Sequence, residues 1–256
     1  MANISAFGPM RPLSATRLAA FRKCEALFLL DDEREETAAQ LVGKAAHCLV
    51  LEGRAAYDAR YTEEGPINEK TGRPYGSDTK ACQDWALATG KAVLGYQNAA
   101  VVEAMAESVR NHEEAQRLLE WGSPELWIEA RVHGVDAHGR LDWLTGKAQL
   151  VIAEYKTCED LDNFESDARR FGYIHQTAFY RSMLASKEGL DPLEIQCSFI
   201  VSEKSRLRRC GVWHIGQGVL GQAQMENEAA IERLKVCWQR REFRTGFEAV
   251  RSFDWL

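Results

Sequence analysis

Three runs of alternating apolar and polar residues in the middle of the chain constrain the fold more than any other feature. They cover residues 126–132, 140–144 and 149–155, and glycine-containing turns separate them. Alternation places successive side chains on opposite sides of an extended strand. The runs therefore predict a three-stranded antiparallel meander.

Charged residues interrupt the apolar character of the second and third runs. Asp142 lies between Leu141 and Trp143, and Glu154 and Lys156 end the third strand on one side of it. A charge in an apolar strand is costly unless it is paired or bound to a metal. Two carboxylates and one ammonium suit a Mg²⁺-dependent phosphodiesterase, and a buried salt bridge remains the alternative explanation.

The bulk properties exclude several classes of protein. The chain has 256 residues, a net charge of −6 and seven scattered cysteines without a C-x-x-C pair. No apolar run is long enough to span a membrane, and the first five residues do not resemble a secretory signal. We expect a cytoplasmic protein without disulfides. The negative charge does not favour nucleic-acid binding, although a local basic groove remains compatible with it.

Helices are predicted on both sides of the meander. Ser14 is a candidate N-cap for the first of them, and the segment 53–77 reads as a loop rich in glycine and proline. The predicted helices cover residues 13–30, 35–51, 78–90, 98–120, 165–186 and 219–241, and two further strands cover 194–202 and 210–215. This order predicts an α/β core with an N-terminal helical elaboration.

Two helices carry further candidate site residues. Gly43 and His47 share one face of the second helix, and a glycine inside a helix usually marks the close approach of another backbone. His47 is a candidate metal ligand or phosphate contact, although a core or surface histidine explains it as well. The helix after Lys156 carries four polar and aromatic residues spaced for one helical face. Such a stripe is equally typical of a contact with a nucleic-acid backbone and of an ordinary half-exposed helix face. It consists of Arg169, Tyr173, Gln176 and Tyr180.

In combination these motifs resemble the PD-(D/E)XK nuclease superfamily and its RecB-like branch, and the wider context of the chain also resembles the phage-type exodeoxyribonuclease VIII (RecE-like) domain. The matching elements, in order, are Gly43-x-x-x-His47, Gly139-x-x-Asp142, Glu154-x-Lys156 and Gln176-x-x-x-Tyr180. The resemblance implies a restriction-endonuclease-like α/β core with a mixed central β-sheet flanked by helices. It places one domain over residues 1–256, with a helical insertion at about 53–124 and the core motifs at about 125–215.

The resemblance also implies roles for individual residues. Asp142 and Glu154 would bind Mg²⁺, which Mn²⁺ can replace, with His47 completing the site and Glu129 as an additional carboxylate. Lys156 would orient the attacking water or help to deprotonate it. The expected DNA contacts are Gln176, Tyr180, Tyr173, Arg169 and Arg17. No iron–sulfur cluster is expected, because Cys24 and Cys237 lack the spacing that holds one.

The implied function is a metal-dependent exonuclease that degrades double-stranded DNA from its ends, 5′ to 3′, in phage-type recombination. Implied partners are DNA ends, a single-strand annealing protein and further copies of the chain in a ring, in the cytoplasm of a bacterial host. Two alternatives stay open: a catalytically silent module that binds DNA ends, and a structure-specific endonuclease. The complete set of Asp142, Glu154 and Lys156 argues against the silent module.

Overall fold

The computed structural model describes residues 10–30, 37–76, 79–146 and 149–252. The helices are α1 (Ala15–Lys23), α2 (Ala38–His47), α3 (Arg54–Arg60), α4 (Lys80–Thr89), α5 (Tyr96–Arg110), α6 (Glu113–Leu119), α7 (Phe164–Phe171), α8 (Tyr173–Glu188) and α9 (Gln217–Arg240). The strands are β1 (Tyr61–Thr62), β2 (Ile67–Asn68), β3 (Arg73–Pro74), β4 (Ala92–Val93), β5 (Gly122–Val132), β6 (Val135–Thr145), β7 (Val151–Cys158), β8 (Gln196–Glu203) and β9 (Cys210–His214). Within the described ranges, no helix has the length and apolar character needed to cross a membrane.

The central sheet is mixed, as predicted. Its strand order is β5-β6-β7-β8-β9, with β7 and β8 parallel and the other neighbours antiparallel. The predicted meander is therefore confirmed as β5, β6 and β7. A parallel pair needs a crossover connection, and α7 and α8 supply it between β7 and β8.

Helices cover both faces of the sheet because β7 is apolar on both sides. Ile152 packs into a buried cluster formed with α1, α8 and α9. Tyr155, on the opposite face, packs into a second cluster formed with α2, α5 and α6. The predicted N-terminal helical elaboration thus supplies the second cluster, and the metal-centre candidates lie between the two layers.

The helix predicted at 165–186 is in fact two helices. Gly172 separates α7 from α8 with a φ of 73°, a left-handed conformation that glycine adopts without steric cost. The prediction that four polar and aromatic residues share one face of a single helix is therefore wrong. Arg169 belongs to α7, whereas Tyr173, Gln176 and Tyr180 belong to α8.

The N-terminal half also departs from the predicted boundaries. The segment 53–77 contains α3 and short strands instead of a continuous loop, because Gly53 adopts a φ of 87° and starts a new helix. The helix predicted at 98–120 breaks after Arg110, where the His112 side chain accepts a hydrogen bond from Ala115 N and caps α6.

The first two helices are shorter than predicted. Ser14 caps α1 as expected, since its hydroxyl accepts a hydrogen bond from the backbone N–H of Arg17. A 3₁₀ turn over Glu25–Leu29 follows α1, and a π turn over Cys48–Glu52 follows α2. The first residues of the helices predicted at 35–51 and 78–90 lie outside the described residues.

Candidate metal centre

The site lies where β6 and β7 separate. The two strands pair from Trp143–Ala153 to Thr145–Val151, and beyond that point carboxylates replace the backbone ladder. The backbone N–H of Asp142 donates to Glu154 Oε1 over 3.4 Å, and that of Tyr155 donates to Asp142 Oδ2 over 3.0 Å. We call this point, where Asp142 of β6 and Glu154 of β7 lie just beyond the pair Trp143–Ala153, the fork. Its backbone donors are satisfied by the acidic side chains that the sequence singles out.

The alternation of β6 breaks at the same point. Leu141 and Trp143 should share one face, yet Leu141 packs with the cluster under α8 and Trp143 with the cluster under α2. Opposite Asp142, between the pairs Pro124–Trp143 and Leu126–Leu141, lies Glu125 with a φ of 52°. Both strands therefore change face here, and two carboxylates meet at the break.

Helix α2 brings His47 to the fork from the other layer. The His47 ring lies edge-on to the Tyr155 ring, with 5.0 Å between centroids, and His47 Nε2 lies 3.8 Å from Asp142 Oδ2. A Cβ added to Gly43 would lie 3.4 Å from Thr157 Oγ1, which is ordinary contact. The predicted close approach of another backbone at Gly43 is therefore wrong, because the neighbour is a side chain.

His47, Glu125 and Asp142 form a group of potential ligands. One ligand atom from each lies within 4.8 Å of the other two. Burial raises the pKa of Asp142 and of Glu125, whereas burial and the nearby Lys156 lower the pKa of His47 to about 4. Two carboxylates and an imidazole that stays neutral at pH 7 fit a divalent cation, which would relieve the crowding of negative charge.

Lys156 lies beside this group and joins it to Glu154. Its Nζ is 2.9 Å from Glu154 Oε2 and 3.5 Å from Asp142 Oδ2, so Glu154 and Lys156 do project to one side of β7 as predicted. Burial alone would lower the pKa of Lys156, but the two carboxylates outweigh it and raise that pKa. The buried salt bridge considered as an alternative is therefore present between Lys156 and the two carboxylates, and it lies directly beside the ligand group.

Helix α8 closes the site from below. A Cβ on Gly139 would lie 2.7 Å from Tyr180 Cε1, so only glycine lets this ring pack against the β6 backbone. Gln176 Nε2 donates to the Tyr180 hydroxyl over 3.2 Å, and Lys156 Nζ lies 5.5 Å from the centre of the Tyr173 ring. Tyr180 is buried, which places it in the inner wall. Its predicted DNA contact, like those of Gln176 and Tyr173, stays a prediction.

Three other predicted site residues lie apart from the fork. Glu129 is on the exposed face of β5, where its carboxylate accepts a hydrogen bond from Trp127 Nε1. Arg169 is exposed on α7. The Arg17 guanidinium lies 4.1 Å from the centre of the Phe28 ring. Among the described residues, none of the three belongs to the ligand group.

Sequence reasoning missed Glu125, although a signal for it exists. His133 and Gly134 have φ values of 48° and 79°, as expected for a two-residue hairpin turn. Counting back from the pair Val132–Val135 places Glu125 opposite Asp142. Glu129 lies opposite His138 in the same register, four pairs farther from the fork.

Comparison with known proteins assigns the family. Residues 14–251 match a family model described as a PDDEXK-like domain of unknown function (DUF3799). The chain belongs to this family. The predicted superfamily and fold class are thereby confirmed, and a search of curated proteins finds no match.

The fold of this PDDEXK-like chain is similar to that of solved structures. A candidate exonuclease from Eubacterium rectale is 13% identical with a TM-score of 0.61, and the match covers 96% of this chain and 91% of that one. LHK-Exo in complex with dAMP is 15% identical with a TM-score of 0.26, over 80% of this chain and 93% of that one. The first supports the fold, and the second carries no argument.

Proposed function

We propose that this PDDEXK-like protein is a metal-dependent deoxyribonuclease that hydrolyses double-stranded DNA from its ends. The observation that carries the proposal is the fork itself, where Lys156 contacts both Asp142 and Glu154, and Asp142 lies beside His47 and Glu125. A lysine paired to two carboxylates could serve stability alone. The additional imidazole and third carboxylate on the open side of the pair favour catalysis.

The residues have distinct tasks in this proposal. His47, Glu125 and Asp142 would hold the cation, which, when bound, supplies charge stabilisation and water activation at the phosphate. Lys156 stays protonated because its carboxylate neighbours raise its pKa, so it presents a positive charge to the phosphate and orients the attacking water. Glu154 is fully buried and holds the Lys156 ammonium in place. Its predicted role as a metal ligand stays a prediction, because the ligand group consists of His47, Glu125 and Asp142. Tyr173 and Tyr180 restrict the ammonium from the α8 side.

The finer proposal follows the motif resemblance. It comprises Mg²⁺ as the natural cation with Mn²⁺ as a substitute, RecE-like 5′ to 3′ polarity, and a role in phage-type recombination in the cytoplasm of a bacterial host. A ring of identical chains and an annealing protein that takes up the remaining strand belong to the same proposal. The DNA contacts of Gln176, Tyr180, Tyr173, Arg169 and Arg17 are part of it, whereas Glu129, which faces outward on β5, is not proposed as a ligand.

The test is digestion of linear duplex DNA labelled at either the 5′ or the 3′ end, with covalently closed circular DNA in parallel. We expect Asp142→Asn and Lys156→Met each to lower the Mg²⁺-dependent rate by about 100-fold or more, because the first weakens the binding of the cation and the second removes positive charge at the phosphate. Asp136→Asn is the matched control, since Asp136 lies on the same strand and is exposed.

Each outcome decides one part of the proposal. Undiminished digestion by Asp142→Asn or Lys156→Met would show that the fork is not the catalytic site. Cutting of the closed circle would replace the exonuclease by an endonuclease, and early release of the 3′ label would reverse the polarity. Wild-type protein that binds DNA ends but digests none would support the silent binding module.

A further inference from the structure

The outer face of the β5–β6 hairpin carries an exposed aromatic pair. The Trp127 and His138 rings are stacked, with 5.2 Å between centroids and 18° between planes. Trp127 is 54% exposed. A large aromatic side chain that stays exposed beside another ring is costly to hydrate and is typical of a binding surface.

Two ion pairs and one further carboxylate surround this pair. Arg131 Nη1 lies 3.9 Å from Asp136 Oδ1, and Arg140 Nε lies 2.7 Å from Glu125 Oε2. The ion pairs cancel, whereas the exposed Glu129 carboxylate, which accepts a hydrogen bond from Trp127 Nε1, leaves a negative group at the edge of the indole. The accessible feature of this face is the π surface of the rings, which suits a flat, uncharged group such as a nucleic-acid base.

This face is continuous with the candidate metal centre. Trp127 is paired across the hairpin with Arg140, and Arg140 contacts Glu125 of the ligand group. Arg140 precedes Asp142 by two residues, which is about 7 Å along a strand. The aromatic pair therefore lies within reach of nucleotides next to a phosphate held at the fork.

We propose that the Trp127–His138 face binds the unpaired bases of a single DNA strand next to the cleaved phosphate, with a base stacked on the Trp127 indole. This inference rests on the proposed nuclease function and adds a preference for unpaired ends. Bases inside a duplex are already stacked on one another and cannot use the indole. Stacking is tolerant of sequence, because every base has a π face.

The test measures binding without hydrolysis. Fluorescence anisotropy of a 5′-labelled oligo(dT), recorded in EDTA, should show about 5- to 100-fold weaker binding for Trp127→Ala than for the wild type. Trp127→Phe keeps an aromatic ring and should recover most of the affinity. Phe247→Ala is the matched control, because Phe247 is also an exposed aromatic residue and lies in the C-terminal segment. A blunt-ended duplex hairpin should bind all four proteins within about 2-fold.

Three results would overturn the inference. The first is unchanged oligo(dT) binding by Trp127→Ala, and the second is an equal loss in Phe247→Ala. The third is a change in sedimentation without a change in DNA affinity, which would identify the face as a contact between copies of the chain. Because binding is measured without a metal, the two tests are independent. A negative digestion test at Asp142 does not change the binding result, and a negative binding result does not change the digestion test.

Discussion

Glu125 shows how one residue with a rare backbone conformation completes the candidate site. A non-glycine residue with a φ of 52° costs about 1–3 kcal/mol, and it persists where the surroundings impose it. Here the pairs Pro124–Trp143 and Leu126–Leu141 hold the backbone on both sides, while Arg140 holds the carboxylate. The strained backbone therefore belongs to the residue whose carboxylate lies beside His47 and Asp142.

Glu203 is a buried carboxylate that organises its surroundings at the end of β8. It accepts hydrogen bonds from the Arg209 guanidinium at 2.9 and 3.1 Å and from the backbone N–H of Leu161 at 3.2 Å. The hydrogen bonds from Arg209 outweigh burial and lower the pKa of Glu203 to about 2. This network fixes the segment that follows β7, and hence the strand that carries Lys156.

Replacing Glu203 by glutamine should make stability depend on pH in a defined direction. A glutamate in an unfolded chain has a pKa of about 4.3, so the depressed folded value stabilises the protein above that pH, and the gain is lost as pH falls through about 2. We expect Glu203→Gln to lower the free energy of unfolding by about 2–3 kcal/mol at pH 7.

Urea unfolding of Glu203→Gln and wild type between pH 2 and pH 7 measures this difference. The gap should shrink below about pH 4. Glu159→Gln, an exposed partner of Lys204, is the control and should stay within about 0.5 kcal/mol of wild type. A gap that does not change with pH would contradict the assignment to the Glu203 charge.

At the scale of elements, the break between α7 and α8 directs the second helix beneath the fork. A Cβ added to Gly172 meets no atom within 4 Å, so the requirement for glycine is conformational and not steric. Because α8 starts anew after the break, Tyr173 approaches Lys156 and Tyr180 packs under Gly139. A continuous helix would rotate these residues relative to the sheet.

Gly172→Ala should therefore lower the free energy of unfolding by about 1–2 kcal/mol, because a left-handed conformation is unfavourable for alanine. Gly221→Ala is the matched control: it lies within α9, its added Cβ also meets open space, and alanine should stabilise the helix by about 0.5–1 kcal/mol. Chemical denaturation of both variants measures the difference. The conformational argument would be refuted if the two substitutions changed the free energy of unfolding equally, or if Gly172→Ala stabilised the protein.

At the scale of the whole molecule, the candidate metal centre joins two packed layers. His47 comes from the α2 layer, whereas Glu125 and Asp142 come from the sheet. A cation held by all three would cross-link the layers and favour the folded state, because the unfolded chain does not bring these residues together.

Saturating Mn²⁺ should accordingly raise the Tm of the wild type. At a concentration of about 100 times Kd the gain is about 2.7 kcal/mol, or about 5–10 °C for a chain of this size. EDTA should reverse the shift, and lower pH should reduce it, since burial raises the pKa of Asp142 and Glu125 and protons then compete with the cation.

Two glutamate variants make the measurement specific. Glu125→Gln should lose most of the Mn²⁺-dependent rise in Tm, whereas Glu129→Gln on the same strand should keep it. The opposite result would make Glu129 the ligand and exclude Glu125. An equal rise in both variants would indicate that Mn²⁺ binds elsewhere on the protein.

The sequence by itself determined the parts of this protein that depend on local periodicity and residue chemistry. Alternation with a period of two predicted the three-stranded meander and put Glu154 and Lys156 on one side of β7, because side-chain direction in a strand is a local property. The motif order identified the PDDEXK-like superfamily, which the family match confirms. The residue types at Asp142 and Glu154 pointed to a cation before any contact was known.

Only the tertiary structure decided which side chains meet at the fork. His47 reaches Asp142 because α2 packs on β7, and Glu125 faces Asp142 because both strands change face at the same point. Glu129 follows the alternation of its strand and faces outward beside Trp127. The physical reason is that periodicity describes one strand at a time, whereas a metal centre depends on where strands separate and on which helix packs at the opening.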